Sequence, residues 1–283
     1  MTASASTASP AAATQAEKAD RFRALHTAPG IFVIGNAWDG GSAKVLTGVG
    51  YAALATSSAA SAWTLGRQDG GVTREEALSQ ARIITAATPL PVSGDLEKGF
   101  GDSPRIVAET VRLAAEAGLV GCSIEDATGE VAQPVFGLTQ ATERIAAAAE
   151  AARSLAFPFT LTARAENFLR GREDLDDTLR RLQAYERAGA DVLFAPGLRD
   201  LAAVRTVCAA VSRPVNFMAG IPGRSFSVAE LAAAGVKRVS LATSLYRAAM
   251  SGLIDAAREV REHGTFGYIE RGVNSQEVSA FLR

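Results

Sequence analysis

The chain has 283 residues, 48% of them apolar, and a formal net charge of −1 from 29 basic and 30 acidic side chains. This balance argues against a dedicated nucleic-acid-binding surface, because such surfaces are strongly basic. The two cysteines, Cys122 and Cys208, lie in apolar surroundings and indicate core residues, not a disulfide framework. The two histidines, His26 and His263, are too few for a histidine-rich zinc site and argue against histidine-based catalysis.

The N-terminal segment 1–16 is rich in Ala, Ser and Thr. It lacks the basic start and the apolar run of a signal peptide, so we expect a disordered tail there. The sequence also contains no run that approaches the roughly 20 apolar residues of a membrane span. These features predict a cytoplasmic protein with no membrane partner.

Eight apolar runs follow one another along the chain and predict β-strands. They lie at 31–35, after Gly50, at 90–95, after Gly118, at 158–164, after Gly189, at 214–218 and after Gly235. Four of the runs directly follow a helix-like stretch that ends in Gly, the usual left-handed C-cap of a helix. Continuous apolar runs are typical of parallel strands, which are covered on both faces.

Helix-like stretches separate these runs. Segments 73–76 and 227–230 have the spacing of a capping box, and segment 174–188 carries an apolar stripe at helical spacing. The alternation of strands and helices predicts an α/β fold, a (β/α)8 TIM barrel. A doubly wound open sheet is the alternative, but no G-x-G-x-x-G follows the first predicted strand.

The chain shows no change in composition that would mark a second large domain. We therefore expect a single (β/α)8 barrel domain over 17–262 and a C-terminal extension over 263–283. In such a barrel the carboxyl ends of the strands form the functional site.

The residues at those strand ends are mostly acids, amides and small hydroxyls, with one arginine. They are Asn36, Trp38, Asp39, Thr56, Ser57, Ser58, Asp95, Glu97, Glu125, Asp126, Arg164, Glu166 and Asn216, and the segment after the second strand adds Arg67 and Asp69. Acids that hold a cation, beside Arg and Ser groups that hold an anion, indicate a site for a metal-chelated carboxylate.

Asp95 and Glu97 follow the third predicted strand. Residues two apart in a strand point the same way, so both carboxylates can face one spot. They repel each other unless a cation or a proton lies between them, and oxygen-only ligands suit Mg²⁺ or Mn²⁺. The alternative interpretation is a pair of solvated loop acids.

Four motifs carry a resemblance to a known family. They are DLEKGFG over 95–101, IED over 124–126, ARAENF over 163–168 and AYERAGAD over 184–191. The first resembles an Asp-x-Asp-x-Gly-(Tyr/Phe)-Gly segment, with Glu97 in place of the second Asp. Over residues 20–265 the chain resembles the isocitrate lyase/phosphoenolpyruvate mutase superfamily, whose members are TIM barrels.

The resemblance implies a metal site built from four acids. Asp95 would bind Mg²⁺, or Mn²⁺, directly, and Glu97, Glu125 and Asp69 would hold it directly or through water. The metal would stabilise the negative charge of an enolate as a Lewis acid.

The resemblance also implies a site for a small carboxylic acid. Its substrate-binding residues would be Ser57, Ser58, Ala59, Asp95, Arg164 and Asn216, and its catalytic residues would be Arg164 and Glu125. Arg164 has a structural alternative as the ion-pair partner of Glu166 or Glu125. For Asn216 the structural alternative is stronger, since an Asn can simply satisfy backbone groups at a strand end.

The segment after the fourth strand departs from the family. Lyases of the superfamily carry Lys-x-Cys-Gly-His there, but segment 127–137 contains no Cys, His or Lys. Cleavage of isocitrate or methylisocitrate is therefore not supported. Lys98 and Glu130 are the remaining acid/base candidates, and the sequence does not decide whether this loop acts as a lid.

Three functions remain open. The first is a Mg²⁺-dependent lyase or hydrolase that cleaves a C–C bond in a small 2-oxo or 2-hydroxy carboxylic acid through an enolate. The second is a P–C bond mutase or hydrolase for phosphonopyruvate-like substrates, which needs a second cationic group, with Arg67, Lys98 and Arg224 as candidates. The third is a non-catalytic homologue that binds oxo-acids.

The resemblance further implies self-association. Members of the superfamily form homotetramers in which a C-terminal helix crosses to a neighbouring subunit, and in this chain that helix would lie within 248–283. We expect a homotetramer or a homodimer.

Overall fold

The eight predicted strands form one closed barrel in a computed structural model that describes residues 13–282. Each strand pairs in parallel with its neighbours in chain order, and the last pairs with the first. The prediction of a (β/α)8 TIM barrel is confirmed. The strands are β1 (Phe32–Asn36), β2 (Leu54–Ala55), β3 (Val92–Asp95), β4 (Gly121–Glu125), β5 (Thr160–Arg164), β6 (Val192–Phe194), β7 (Val215–Met218) and β8 (Arg238–Ser240).

Helices alternate with the strands. They are α1 (Gln15–Thr27), α2 (Gly40–Val49), α3 (Ser58–Thr64), α4 (Arg74–Ala87), α5 (Pro104–Glu116), α6 (Leu138–Arg153), α7 (Leu175–Ala188), α8 (Leu201–Ala210), α9 (Val228–Ala233), α10 (Ser244–His263) and α11 (Ser275–Phe281), with a 3₁₀ helix at Gly267–Arg271. The segment predicted as a tail, 1–16, overlaps the start of α1 at Gln15, and its residues 1–12 lie outside the described residues.

The predicted helix ends have their expected backbone geometry. Gly50 and Gly189 are left-handed C-caps of α2 and α7, with φ angles of 101° and 105°. Gly118 and Gly235 follow the ends of α5 and α9 with φ angles of 86° and 93°. Because a left-handed residue reverses the chain at once, each helix leads directly into the next strand.

The register of the sheet brings the polar strand ends together. Asp95 of β3 lies beside Ser123 of β4, and Glu125 of β4 lies beside Arg164 of β5. Since all eight strands are parallel, these side chains gather at one mouth of the barrel.

The first helix closes the opposite mouth. Phe22 of α1 is fully buried and packs in an apolar cluster with Ile34, Ala53 and Val120. His26 lies one turn further along α1, and its Nε2 lies 3.3 Å from Nη1 of Arg238, on β8. Side chains of α1 therefore fill part of the barrel interior, although this helix precedes β1 and belongs to none of the eight strand–helix repeats.

The C-terminal region leaves one long helix uncovered. α10 has 20 residues and none of them is buried. Leu253 and Ile254 on this helix are 59% and 46% exposed. The shorter α11 returns to α2, where the Phe281 ring lies against Gly48. No helix within residues 13–282 is both long and apolar enough to cross a membrane.

Buried His26 makes one contribution to the pH dependence of stability. Burial, followed by the charge of Arg238, lowers the pKa of His26 to about 3. In the unfolded chain its pKa is about 6.5, so the unfolded state takes up the extra proton between these values. The stabilisation of the folded state by this difference is complete above pH 6.5. It decreases by at most about 1.4 kcal/mol per pH unit as the pH falls toward 3.

We expect a His26→Gln variant to lose this dependence. Urea unfolding of both proteins at pH 7.5 and pH 5 would show a difference in unfolding free energy that shrinks at the lower pH. Comparing the two proteins cancels the titration of the carboxylates. Parallel free-energy curves over this range would contradict the assignment.

Candidate active site

A cavity of about 300 Å³ opens at the carboxyl ends of the strands. It is lined by several of the predicted site residues, namely Ser57, Ser58, Ala59, Asp69, Asp95, Arg164 and Asn216. Glu97 and Glu125 lie outside its lining. A larger cavity of about 550 Å³ lies at the other mouth, beside α1 and α6, and none of the predicted site residues lines it.

The Asp95 carboxylate is the most fully anchored acid of the site. One oxygen accepts hydrogen bonds from the Ser58 N–H at 3.0 Å and the Ser58 hydroxyl at 2.8 Å. The other accepts from Arg164 at 2.9 Å and from the Ser123 hydroxyl at 3.3 Å. The Asp95 N–H donates to the Thr56 hydroxyl at 2.8 Å. These bonds fix the orientation of the carboxylate at the edge of the cavity.

Arg164 joins three carboxylates. Its guanidinium lies 2.9 Å from Asp95, 3.0 Å from Glu125 and 2.8 Å from Glu166. Burial acts to lower the pKa of Arg164, but the charges of these acids outweigh it and raise the pKa well above its usual value. Arg164 thus lines the cavity, as a substrate-binding residue would, and also forms the ion pairs with Glu166 and Glu125 that its structural alternative predicted.

The remaining acids crowd around Asp95. Burial and the charges of Asp95 and Asp69 raise the pKa of Glu97 to about 7. Burial and the charge of Asp95 raise the pKa of the Asp69 carboxyl, although Asp69 as a whole residue is exposed. Burial, with the charges of Glu166 and Asp95, raises the pKa of Glu125 to about 8. Mutual repulsion contributes to these raised pKa values, and a bound cation would relieve it.

This donor set fits Mg²⁺ or Mn²⁺ in its chemistry, since all of its ligands are carboxylate oxygens. One Glu166 oxygen, Oε2, is buried and lacks a hydrogen-bond partner. No three His, Cys, Asp or Glu side chains among residues 13–282 converge closely enough to hold an ion by themselves. The oxygen chemistry of Asp95 fits Mg²⁺, which usually takes only one or two protein carboxylates and keeps several waters.

Asp126 has a structural role beneath this cluster. It is buried and accepts hydrogen bonds from the Tyr185 hydroxyl at 2.5 Å and Arg181 at 2.9 Å. Its second oxygen accepts from the N–H of Glu166 at 2.8 Å. Asp126 thereby positions Glu166, which in turn holds Arg164.

Arg144 of α6 supports the loop that follows Asp95, a role that no local motif indicates. Its guanidinium is buried and donates to the main-chain carbonyls of Lys98, Gly101, Asp102 and Glu125. The loop needs such support, because Glu97 and Phe100 adopt left-handed φ angles of 50° and 59°.

Asn216 and Arg238 form a polar pair at the base of the cavity. The Asn216 carbonyl accepts from Nε of Arg238 at 2.7 Å, and its amide donates to the Ser240 hydroxyl at 3.0 Å. Arg238 lines the cavity as well. The sequence pattern does not reveal Arg238, because two adjacent cations, Lys237 and Arg238, at the start of a strand resemble a solvated strand end.

The other candidate cations and acid/base groups lie away from the cavity. Lys98 contacts Asp102 and the Thr128 carbonyl, each at 2.7 Å, and Glu130 is exposed. Arg67 pairs with Glu76, and Arg224 lies 3.8 Å from Glu173. None of these four predicted candidates lines the 300 Å³ cavity.

Comparison with known proteins places the whole barrel in one family. The family profile described as Phosphoenolpyruvate phosphomutase matches residues 22–261. A solved structure from Burkholderia cenocepacia J2315, provisionally assigned as a lyase/mutase, is 52% identical over 94% of this chain and 96% of that one, with a TM-score of 0.93.

Two curated relatives have named activities. An oxaloacetate decarboxylase of Bradyrhizobium diazoefficiens is 28% identical over 92% of this chain and 91% of its own length. A 2-methylisocitrate lyase of Escherichia coli is 31% identical over 76% of this chain and 75% of its own. The chain belongs to the phosphoenolpyruvate phosphomutase family, within the isocitrate lyase/phosphoenolpyruvate mutase superfamily.

Proposed function

We propose that this protein is a divalent-metal-dependent lyase that cleaves a C–C bond of a small 2-oxo carboxylic acid. The observation that carries the proposal is the anchored Asp95 carboxylate beside Arg164, at the edge of a 300 Å³ cavity. The similarity to an oxaloacetate decarboxylase over 92% of the chain makes oxaloacetate the first substrate to test.

Asp95 is the proposed direct metal ligand, because its carboxylate faces the cavity and is held in place by Ser58 and Ser123. Asp69 and Glu97 would hold the ion's water ligands. When bound, the ion acts as a Lewis acid that stabilises negative charge on the 2-oxo oxygen.

Arg164 is the proposed donor toward that developing charge. Its guanidinium is fixed by three carboxylates, so it needs no reorganisation when the charge appears. Glu125 is buried, contacts Arg164 and lies outside the cavity lining. We therefore propose Glu125 as a positioning residue for Arg164, and not as a group that touches the substrate.

Decarboxylation suits a site that has no loop Cys, His or Lys. In oxaloacetate the bond between C3 and C4 breaks, CO₂ leaves, and the electron pair moves into the enolate of pyruvate. The departing CO₂ needs no proton, and water can supply the proton that C3 later takes up. An acid/base residue in segment 127–137 is therefore not required.

P–C bond chemistry is the second candidate, favoured by the family profile named for a phosphoenolpyruvate phosphomutase. A non-catalytic binding protein is the third possibility. It predicts metal-dependent binding of oxo-acids without turnover.

The first prediction for the site concerns binding. We expect oxalate, pyruvate or oxaloacetate to raise the melting temperature of the metal-stripped protein only when Mg²⁺ is added. At a hundredfold excess over Kd the rise would be about 5 to 10 °C. Asp95→Asn would abolish the Mg²⁺-dependent rise. Asp102→Asn, which changes an exposed acid of the same loop, would preserve it. A rise that is independent of Mg²⁺ would contradict the metal site.

The second prediction concerns turnover. We expect Mg²⁺-dependent formation of pyruvate from oxaloacetate, at a rate above that of Mg²⁺ alone. Arg164→Lys keeps the charge but loses the fork that reaches three acids, so kcat would fall about 100-fold. Phosphonopyruvate followed by ³¹P NMR tests the second candidate. Conversion of phosphonopyruvate but not of oxaloacetate would exclude the lyase.

We also propose that the chain forms a homotetramer or a homodimer through α10. The support is that this 20-residue helix has no buried residue and exposes Leu253 and Ile254. An amphipathic helix of this length is normally covered.

Light scattering should therefore give the mass of a dimer or tetramer for the wild-type chain. We expect Ile254→Asp to shift the mass toward that of a monomer. Val131→Asp is the control, since Val131 is 98% exposed in the loop after β4. A monomeric wild-type chain would rule out the assembly.

A further inference from the structure

The cavity of about 550 Å³ lies at the mouth of the barrel opposite the candidate active site, and the proposed function does not use it. Its floor is apolar. Phe159, Val192, Ala149 and Ala152 line it, and all four residues are buried. A cavity of this volume with an apolar floor accommodates a small organic ligand.

Two arginines without ion pairs lie at the rim of this cavity. Arg153 is the last residue of α6 and Arg213 precedes β7, and both line the cavity although each is exposed as a whole residue. No carboxylate among residues 13–282 lies at ion-pair distance from either guanidinium. A third arginine of the lining, Arg23, lies 2.9 Å from Asp20, an acid outside the lining.

The guanidinium of Arg153 is held against the cavity wall. A Cβ atom added to Gly189 would overlap Nη2 of Arg153, so the group rests on the main chain at the C-cap of α7. A side chain that is already placed loses less conformational entropy on binding than one that extends freely into solvent. Arg153 is therefore positioned to receive an anion.

Asp191 is the one acid among the described residues that line the cavity. One of its oxygens accepts a hydrogen bond from the Leu161 N–H at 2.8 Å. Burial raises the pKa of Asp191, while that hydrogen bond and then the charges of Arg213 and Arg153 act to lower it. Both guanidiniums thus lie near the same carboxyl, and Asp191 can balance at most one of them.

His26 also lines the cavity, but both of its ring nitrogens are already engaged. Nδ1 lies 2.8 Å from the Phe22 carbonyl, which can only accept, so we assign the ring proton to Nδ1. Nε2 then accepts from Arg238 at 3.3 Å. The ring is uncharged at pH 7, because burial and the charge of Arg238 lower the pKa of His26 to about 3. The cations available to a ligand are therefore those of the rim.

We propose that this cavity binds an amphipathic organic anion. The apolar body of the ligand would lie on the floor around Phe159 and Val192, and its carboxylate or phosphate would accept hydrogen bonds from Arg153 and Arg213. The planar fork of a guanidinium matches either kind of anion. The site is separate from the proposed metal site, so its ligand needs neither a 2-oxo group nor Mg²⁺.

Two probes of nearly the same shape test the need for charge. They are 2-naphthoate and 2-naphthamide, in which an uncharged amide replaces the carboxylate. Calorimetric titration of the metal-stripped wild-type protein should give naphthoate a Kd about 10-fold below that of naphthamide. The preference should shrink as the ionic strength rises, because exposed charges are screened. 2-Naphthyl phosphate, titrated in the same way, distinguishes the anionic group: tighter binding than naphthoate would assign the site to a phosphate, and weaker binding to a carboxylate.

Variants of the rim locate the bound probe. Arg153→Gln and Arg213→Gln should each weaken naphthoate binding about 3- to 10-fold and leave naphthamide binding unchanged. Both side chains are exposed and lack ion pairs, so the melting temperature of the free protein should not change. Arg112→Gln is the control. It removes an exposed arginine of α5 outside the cavity lining and should keep the wild-type Kd of both probes.

The wild-type protein alone can overturn the inference, so a variant that does not fold leaves it testable. Equal affinity for naphthoate and naphthamide would exclude an anion site, and so would the absence of binding of either anionic probe at millimolar concentration. Naphthoate binding that is lost in Arg164→Lys but kept in Arg153→Gln and Arg213→Gln would place the probe in the 300 Å³ cavity, which also contradicts the proposal.

Discussion

The shared ion pairs of Arg164 are the constraint on which the site depends. One guanidinium holds Asp95 of β3, Glu125 of β4 and Glu166 beyond β5, so three successive strand ends are fixed relative to each other. Glu166 is completely buried, and removing its partner would leave a charge in the protein interior. Breaking a buried pair in this way typically costs about 3 to 5 kcal/mol. The same contacts that stabilise the barrel mouth therefore also preorganise its chemistry.

The residues around the Arg164 ion pairs fall into two groups. One group holds the ion-paired acids and the loop in place from below, and the other lines the open cavity. Asp126, Tyr185 and Arg144 lie beneath it and satisfy its buried polar groups and loop carbonyls. Ser57 and Ser58 lie above β2 and face the open cavity. This division explains why acids adjacent in sequence differ in role, since Glu125 and Asp126 point to opposite sides of β4.

The sequence alone predicts those features of the fold and the site that depend on local sequence pattern. Glycine C-caps and apolar runs predicted all eight strands, and the DLEKGFG motif located Asp95. Arg144 and Arg238 could not be found this way, because their partners are remote in sequence and a single arginine in a helix or strand has no local signature. Asn216 was predicted to bind substrate, and the structure places it in the cavity lining with both ends of its amide already bonded. The roles of all these site residues stay predictions.

The contact between His26 and Arg238 constrains the order in which parts of the barrel can fold. The two residues are 212 positions apart, so the last strand receives an acceptor from the first helix. During synthesis β8 leaves the ribosome long after α1, and only then can the buried guanidinium gain all of its neutral partners. Because contacts of such long range form slowly, we expect the pairing of β8 with β1 and the contact of α1 with Arg238 to form late in folding. A barrel that lacks this helix would leave Nη1 of the buried Arg238 without the acceptor that His26 provides.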